Sequence, residues 1–214
     1  MKTGISKITL GAIAGLMALG AISAKAISYS LNDPNAALAG YAGPYGFVDV
    51  TLTDSTHAVI TFTGNTVGNY QYLFGGVSMA DVNLNSSSFN VTVVAPSTTK
   101  SPILSGNVSS FGNFNITIDN KNASDTTDTV KFNVEDLSGS WANASSVLIA
   151  NADTFIAAAH IVVVDTTTGG VAITGFTANA DTTHVVPDGG STMALLGAGL
   201  LGLGCIRRKM AKKN

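Results

Sequence analysis

The sequence predicts an all-β protein, an antiparallel and jelly-roll-like β-sandwich of about eight or nine strands. It also predicts an N-terminal signal helix and a C-terminal transmembrane helix. Two observations predict the sandwich. Short segments alternate apolar and polar residues, and turn residues interrupt them roughly every 8–15 residues. Charged residues make up only 11% of the chain. This pattern favours a sandwich over alternating βα units.

Each predicted strand follows from residues that share one face of an alternating segment. In chain order these residues are Val48, Val50 and Leu52; Tyr70, Tyr72 and Phe74; Phe89, Val91 and Val93; Phe114, Ile116 and Ile118; Val130, Phe132 and Val134; and Val171 and Ile173. Residues 58–63 complete a hairpin with the first of these strands, and 77–84 is a further candidate. The run 161–164 is wholly apolar, which is typical of a strand buried on both faces.

Two segments do not read as strands. Residues 95–106 are rich in Ser, Thr and Pro and predict a long loop. Residues 144–152 predict one or two helical turns with Asn143 as the N-cap. Trp141 is the only tryptophan of the chain, and we expect it to fill the core beneath this connection.

The N-terminus reads as a signal peptide over residues 1–26. Lys2 and Lys7 precede a largely apolar run from Ile8 to Ile22, which is short for a membrane span of roughly 20 residues. Ala24 and Ala26 satisfy the Ala-x-Ala rule of signal peptidase, so we expect cleavage after Ala26. The implied partners are the Sec translocon and signal peptidase. The alternative is an uncleaved N-terminal anchor.

Charge is unevenly distributed along the chain. All thirteen acidic residues lie between Asp33 and Asp188, and only Lys100, Lys121 and Lys131 are basic within that stretch, which gives a formal charge of −10 there. Binding to nucleic acid requires clustered Lys and Arg, so this composition excludes it as a function. The exported domain is predicted over 27–180, followed by a linker with a processing motif over 181–192.

The C-terminus has three parts in a fixed order. The polar motif is Val186, Pro187, Asp188, Gly189, Gly190, Ser191 and Thr192; the apolar segment is 193–206; and the basic end, 207–214, contains Arg207, Arg208 and Lys209. The apolar segment is expected to span the membrane and halt export. The basic residues stay cytoplasmic under the positive-inside rule, so the body faces outward. Pro187 and the two glycines favour an extended and accessible peptide, which suits processing. A plain tail anchor is the alternative.

This end resembles the PEP-CTERM sorting signals of exosortase systems, and its motif is closest to the VPDSG-type variant. The resemblance covers residues 186–214. It implies that an exosortase-type membrane protease recognises Val186 to Thr192 and removes the tail. Pro187-Asp188-Gly189 stands where Pro-Glu-Pro is usual, which leaves the enzyme subtype open. Two body segments, Ser138 to Ala142 and Ala157 to Ile161, are similar to uncharacterised exported domains with such tails.

No catalytic motif is evident, so we expect no enzymatic activity and no cofactor. His57, His160 and His184 form no His-x-x-x-His or His-x-His pair, so a zinc site is not indicated. His160 reads as a hydrogen-bonded residue at a strand end, and His57 as part of a hairpin turn. Glu135 and Asp136 are adjacent on a strand, so they point to opposite faces and do not form an acid/base pair.

Two binding alternatives remain open. Asn122, Asp125 and Asp128 could offer oxygen ligands to calcium, although Asx residues are ordinary in turns. Tyr41, Tyr45, Tyr70 and Tyr72 could line a carbohydrate surface or pack in the core. The sequence therefore predicts an inner-membrane precursor that becomes a cell-surface or extracellular protein with a structural or interaction role. The alternatives are an exopolysaccharide-binding module and a hydrolase with an unrecognised site.

Overall fold

The chain folds almost entirely into antiparallel strands, as a computed structural model that describes residues 25–102, 104–179 and 183–184 shows. The all-β antiparallel prediction is confirmed. Eight strands have six or more residues: β1 (Ala26–Leu31), β3 (Gly46–Leu52), β4 (His57–Gly64), β6 (Tyr70–Gly75), β8 (Phe89–Ala95), β13 (Thr129–Asp136), β14 (Ala157–Asp165) and β15 (Val171–Ala178).

The structure contains more strands than the eight or nine that are expected, because it also describes eight short paired segments. They are β2 (Asp33–Pro34), β5 (Thr66–Val67), β7 (Ala80–Val82), β9 (Gly106–Val108), β10 (Gly112–Phe114), β11 (Ile116–Ile118), β12 (Thr126–Thr127) and β16 (Thr183–His184). Each has only two or three residues, too few for alternation to reveal alone, although β7, β10 and β11 overlap segments that are predicted as longer strands.

The first sheet has six strands in the order β16-β1-β3-β4-β13-β8. Its centre is the predicted hairpin of β3 and β4, with Val50 opposite Ile60. Val48, Val50 and Leu52 are all buried on one face, as the alternation predicts. β8 pairs with β13 and contains an extra residue opposite the Lys131–Phe132 step.

The second sheet follows the order β11-β7-β14-β15-β2, and β6 joins it through β14. β14 is flanked on both sides: Ile161 lies opposite Phe74 of β6 and opposite Gly175 of β15. Successive residues of a strand point to opposite faces, and Ile161, Val162 and Val163 are all buried. The prediction of a strand buried on both faces is confirmed for these residues. Val171 and Ile173 belong to β15 as predicted, yet they are 63% and 37% exposed.

One hydrophobic core receives side chains from both sheets. Its largest fully buried members include Phe62 and Phe132 of the first sheet and Tyr72 and Phe74 of the second. Phe62 contacts Phe74 edge to face, with ring centroids 5.9 Å apart. This contact between aromatic rings of different sheets joins the two layers.

The predicted helical connection is present but shorter than expected. It is a 3₁₀ turn over Ala144–Ser146, and Asn143 is its N-cap in a capping box with Ser146. Trp141 is buried at 3% exposure, and its Nε1 donates a hydrogen bond to the Asn85 carbonyl. The prediction that Trp141 fills the core is confirmed.

The predicted strand over 77–84 is mostly wrong. Ser78 has a φ of +52°, which breaks the extended conformation. Only Ala80–Val82 pairs as a strand. The predicted strand through Phe114, Ile116 and Ile118 is divided at Asn115, whose side-chain amide bonds the backbone of Leu84 instead.

A hairpin of β9 and β10 forms a separate two-stranded sheet. Val108, Phe111 and Phe114 from this hairpin form a small apolar cluster with Ala158 and Ala178 of the second sheet. The hairpin therefore covers the face of the second sheet that points away from the main core.

The predicted signal helix over 1–26 and transmembrane helix over 193–206 lie outside the described residues, except for Lys25 and Ala26. Within the part of the chain that the structure describes, no helix has the length and apolarity to cross a membrane.

Candidate functional site

The two predicted processing sites flank one strand pair. Ala26, the residue expected before the signal-peptidase cut, is the first residue of β1 and lies opposite Thr51. The backbone of β16 pairs with the same strand, with His184 opposite Ser28. Ala24, the sorting motif Val186 to Thr192 and the basic residues Arg207, Arg208 and Lys209 lie outside the described residues.

A row of polar side chains crosses the first sheet on its outer face. Glu135 of β13 lies opposite His57 of β4 on one side and Asn90 of β8 on the other. The Asn90 amide donates a 2.9 Å hydrogen bond to Glu135 Oε2, and His57 Nε2 lies 3.6 Å from Glu135 Oε1. Residues directly opposite each other on one face are close enough for such contacts.

Asp54 holds the other side of the His57 ring. Its Oδ1 accepts hydrogen bonds from the backbone N–H groups of Thr56 and His57 and lies 3.0 Å from His57 Nδ1. This is the Asx geometry that ends many hairpins. The hydrogen bond from the Thr56 backbone and that from the His57 ring lower the pKa of Asp54 to about 2. The hydrogen bond to Asp54 raises the pKa of His57.

These side chains border a shallow cleft of about 310 Å³. Its lining residues are Thr53, Asp54, His57, Ala58, Val59, Asn133 and Val134. The cleft offers carboxylate, imidazole, amide and hydroxyl groups beside an apolar floor. The His57 ring has a carboxylate near each nitrogen, so the arrangement favours the protonated ring, in which neither nitrogen can act as a general base.

Glu135 and Asp136 point to opposite faces, as predicted for adjacent strand residues. Asp136 is buried and accepts hydrogen bonds from Ser86 Oγ, the Ser138 backbone and hydroxyl, and the Gly139 backbone. Burial opposes the ionisation of Asp136, but these hydrogen bonds outweigh it and lower its pKa. Asp136 therefore stabilises the turn after β13, while Glu135 belongs to the polar row.

His160 lies within β14 rather than at a strand end, which corrects the prediction. Its Nδ1 is 2.7 Å from the Gly75 carbonyl, and its ring packs on Phe176 with centroids 4.7 Å apart. Burial lowers the pKa of His160, and the hydrogen bond to Gly75 partly offsets this. None of the carboxylates contacts its ring within the described residues, so the geometry is that of a packed, neutral histidine.

A buried carboxyl group that the sequence does not reveal lies beneath the β9–β10 hairpin. Asp81 is 0% exposed, and its Oδ1 accepts a 2.6 Å hydrogen bond from Thr117 Oγ1. Within the described structure its Oδ2 has no partner. Burial raises the pKa of Asp81 well above its usual range. Nearby, Asp119 accepts a hydrogen bond from the Ser78 backbone.

The four tyrosines do not form an exposed, coplanar surface. Tyr45 and Tyr72 are buried in the core, and their hydroxyls donate hydrogen bonds to the carbonyls of Tyr41 and Ala42 respectively. Tyr41 and Tyr70 are half-buried and meet edge to face at 86°. Packing is therefore the role that the structure supports for these rings.

Two of the three candidate calcium ligands, Asn122 and Asp125, contact each other in a turn. Asn122 Nδ2 donates to Asp125 Oδ2 over 2.9 Å, and the Asp125 carbonyl accepts from Asn120. Among the described residues there is no group of three or more His, Cys, Asp or Glu side chains placed to hold a metal ion.

Comparison with known proteins identifies the end of the chain. The VPDSG-CTERM motif matches residues 185–210, so the chain carries a C-terminal sorting tail of this type and the resemblance of its tail is confirmed. No curated protein and no solved structure gives a significant match.

Proposed function

We propose that this chain is an exported protein whose body is delivered to the bacterial cell surface by an exosortase-type sorting system. The observation that carries the proposal is the VPDSG-CTERM motif over residues 185–210. In this scheme the apolar segment 193–206 holds the precursor in the inner membrane, and the basic residues 207–214 keep the C-terminus cytoplasmic. The sorting protease then removes the tail near Val186 to Thr192.

The path of the chain supports this order of events. β16 ends at His184, and the VPDSG-CTERM match begins with the next residue, 185. The Lys25 carbonyl accepts a 2.7 Å hydrogen bond from the Leu52 backbone, and Ala26 already pairs in β1. A protease needs an unpaired, extended peptide, so removal of the signal peptide would precede the pairing of β1 with β3. Removal of the tail would require β16 to lie loose or to separate from β1.

We propose a structural or interaction role for the delivered body, built as a β-sandwich from its two sheets. Support for the sandwich comes from the single core that both sheets share. Support for the role comes from the tyrosines, because carbohydrate surfaces commonly use exposed aromatic faces, whereas Tyr45 and Tyr72 are buried.

A non-catalytic role is part of the proposal. His160 has the Gly75 carbonyl and the Phe176 ring as its neighbours. The ring of His57 is directed at Asp54 and Glu135 through both nitrogens. His160 has no carboxylate or nucleophilic side chain among its described contacts, and the carboxylates beside His57 favour its protonated ring, which cannot accept a proton from a nucleophile.

The mass of the mature protein tests the sorting proposal. We expect a product that lacks the tail in cells with the sorting protease and the intact tail in cells without it. Pro187→Ala with Asp188→Ala should block processing, whereas Asp181→Ala, which lies before the matched motif, should not. An intact tail in both strains would contradict the proposal.

A second candidate function is recognition of a polysaccharide, and the cleft beside His57 favours it. Asp54 and Asn133 present acceptors and donors over the apolar side chain of Val59, a combination that suits a sugar ring with vicinal hydroxyls. Binding of the organism's own exopolysaccharide, compared between the wild type and Asn133→Ala, distinguishes the two roles. Equal binding would mean that the polysaccharide binds outside this cleft, and no binding in either protein would leave the structural role as the better account.

A further inference from the structure

The edge strand β8 of the first sheet lacks the usual protection of an exposed edge. Its residues Phe89–Ala95 contain no charged side chain. Of the described residues, only those of β13 pair with it in the sheet. Natural edge strands are commonly protected by Lys, Pro or bulges, because their free N–H and C=O groups otherwise pair with another chain. In β8 the bulge comes at the far end, so residues 89–93 remain regular.

The core is incompletely covered along this edge. Val130, Phe132 and Val134 of β13 are fully buried, whereas the matching inward residues Val91 and Val93 of β8 are only half-buried. Val94 and Leu137, at the two ends of the same edge, are 52% and 53% exposed. An added strand would cover this apolar surface and also satisfy the free backbone groups.

We propose that β8 pairs antiparallel with β8 of a second copy of this chain, about a twofold axis at Val91. The pairing would join two six-stranded sheets into one sheet of twelve strands. Phe89 would lie opposite Val93 of the second copy on the inner face, and Asn90 opposite Thr92 on the outer face. All five regular residues are used, and each apolar residue meets an apolar one.

The β8 sequence favours a second copy as the occupant, because opposite itself it matches apolar with apolar and polar with polar residues, and charge confines such a contact to this edge. The stretch from Asp33 to Asp188 has thirteen acidic and three basic residues, so two copies repel over most of their surfaces. The uncharged β8 edge is a place where two identical strands meet with no like charges directly opposite. An isologous contact of this kind is the commonest form of closed assembly.

The position of this edge is compatible with a sorted protein. β8 and β16 lie at opposite ends of the first sheet, and β16 precedes the sorting motif. Strands in a sheet are about 4.8 Å apart, so the β16 edges of the dimer would be on the order of 50 Å apart. Both sorting tails would thus leave the assembly far from the contact.

Two measurements on the full chain in detergent, with Cys205 replaced by Ser, test the dimer. Sedimentation equilibrium up to about 1 mM should show a monomer–dimer equilibrium, since a five-residue edge predicts weak association. Thr92→Glu places a carboxylate opposite Asn90 of the second copy, beside the Glu135 that Asn90 contacts, and should weaken the dimer tenfold or more. Thr51→Glu, equally outward and exposed on the central strand β3, should leave the dissociation constant unchanged.

Disulfide formation fixes the register. Val91→Cys in the Cys205→Ser background should oxidise to a covalent dimer, because residue 91 faces its own copy at the axis. Asn133→Cys, one strand inside the edge, should form no covalent dimer under the same conditions. A monomer at every concentration, an equal effect of the two glutamate variants, or no covalent Val91→Cys dimer would each overturn the proposal.

Discussion

Thr117 Oγ1 donates a 2.6 Å hydrogen bond to Oδ1 of Asp81, and both side chains are buried between β7, β11 and the β9–β10 hairpin. The pair joins neighbouring strands on the face opposite the main core, where Thr117 lies directly opposite Asp81. Asp81 keeps one oxygen without a partner within the described structure. The Thr117 hydroxyl therefore supplies the hydrogen bond described for this carboxyl group, and the raised pKa of Asp81, caused by burial, favours the neutral form, which is less costly to bury.

Thr117→Val should lower the free energy of unfolding by about 1–3 kcal/mol, because it leaves a buried acceptor without its donor. Thermal or denaturant unfolding at neutral pH measures the change. Thr63→Val is the matched control, since Thr63 is exposed on β4 and its replacement should change the stability by less than about 0.5 kcal/mol. Equal effects of the two substitutions would show that the buried hydrogen bond contributes nothing to stability.

Gly106→Ala should destabilise the hairpin that covers Asp81. A Cβ at residue 106 would overlap the Oγ1 and Cβ of Thr117, so the hairpin must move away from the second sheet. Overpacking of this kind costs about 1–3 kcal/mol, and hydrogen exchange in β9 and β10 should accelerate. Gly40→Ala is the control, because a Cβ there has no neighbour within 4 Å. Unchanged exchange in the Gly106 variant would show that the hairpin does not rest on Thr117.

Alternation predicts most of the strands that form the main core, although β1, with buried Ile27, Tyr29 and Leu31, is not among those predicted. Val48, Val50 and Leu52 of β3 and Val130, Phe132 and Val134 of β13 are buried as their period of two requires. Alternation fails where another element covers the outer face. Asp81 lies between buried Ala80 and Val82, so the pattern assigns it to solvent, yet the β9–β10 hairpin buries it. Conversely Val171 and Ile173 are apolar but exposed, because no described element covers that end of β15.

The polar row could not be read from the sequence. His57, Asn90 and Glu135 come together only through the registers of β4 with β13 and of β13 with β8, and pairing over such separations leaves no local signal. The contact between His57 and Asp54 is different, because Asp-Ser-Thr-His is a local turn sequence. It could have indicated that His57 is held by a carboxylate.

His57→Gln should flatten part of the dependence of stability on pH. The pKa of His57 is raised on folding, so its stabilising contribution is present below about pH 6.5 and is lost as the pH rises through the folded-state pKa. Asp54, with its pKa lowered to about 2, contributes above about pH 4 and loses its contribution as the pH falls. The wild type and the variant should therefore differ most near pH 5 and converge at alkaline pH, as measured by urea unfolding across this range.

His160→Asn is the comparison of opposite sign. Burial lowers the pKa of His160 in the folded state, so the unfolded chain binds a proton more readily, and stability from this residue rises with pH through about 6.5. As the pH rises, the stability of the His160 variant should increase less than that of the wild type. The stability of the His57 variant should instead decrease less than that of the wild type. Identical pH profiles of the two variants would contradict the ion-pair role assigned to His57.

Trp141→Phe should lower the free energy of unfolding by about 1–3 kcal/mol, because the Asn85 carbonyl loses the hydrogen bond from Nε1 and the smaller ring leaves space in the core. Trp141 is the only tryptophan of the chain, so its fluorescence in the wild type reports on this connection alone. Emission should be blue-shifted in the folded protein and move to longer wavelength on unfolding, together with the circular dichroism of the strands. Fluorescence emission that changes before the circular dichroism would mean that the segment around Trp141 opens separately from the sheets. In that case Trp141→Phe should leave the unfolding transition of the sheets unchanged.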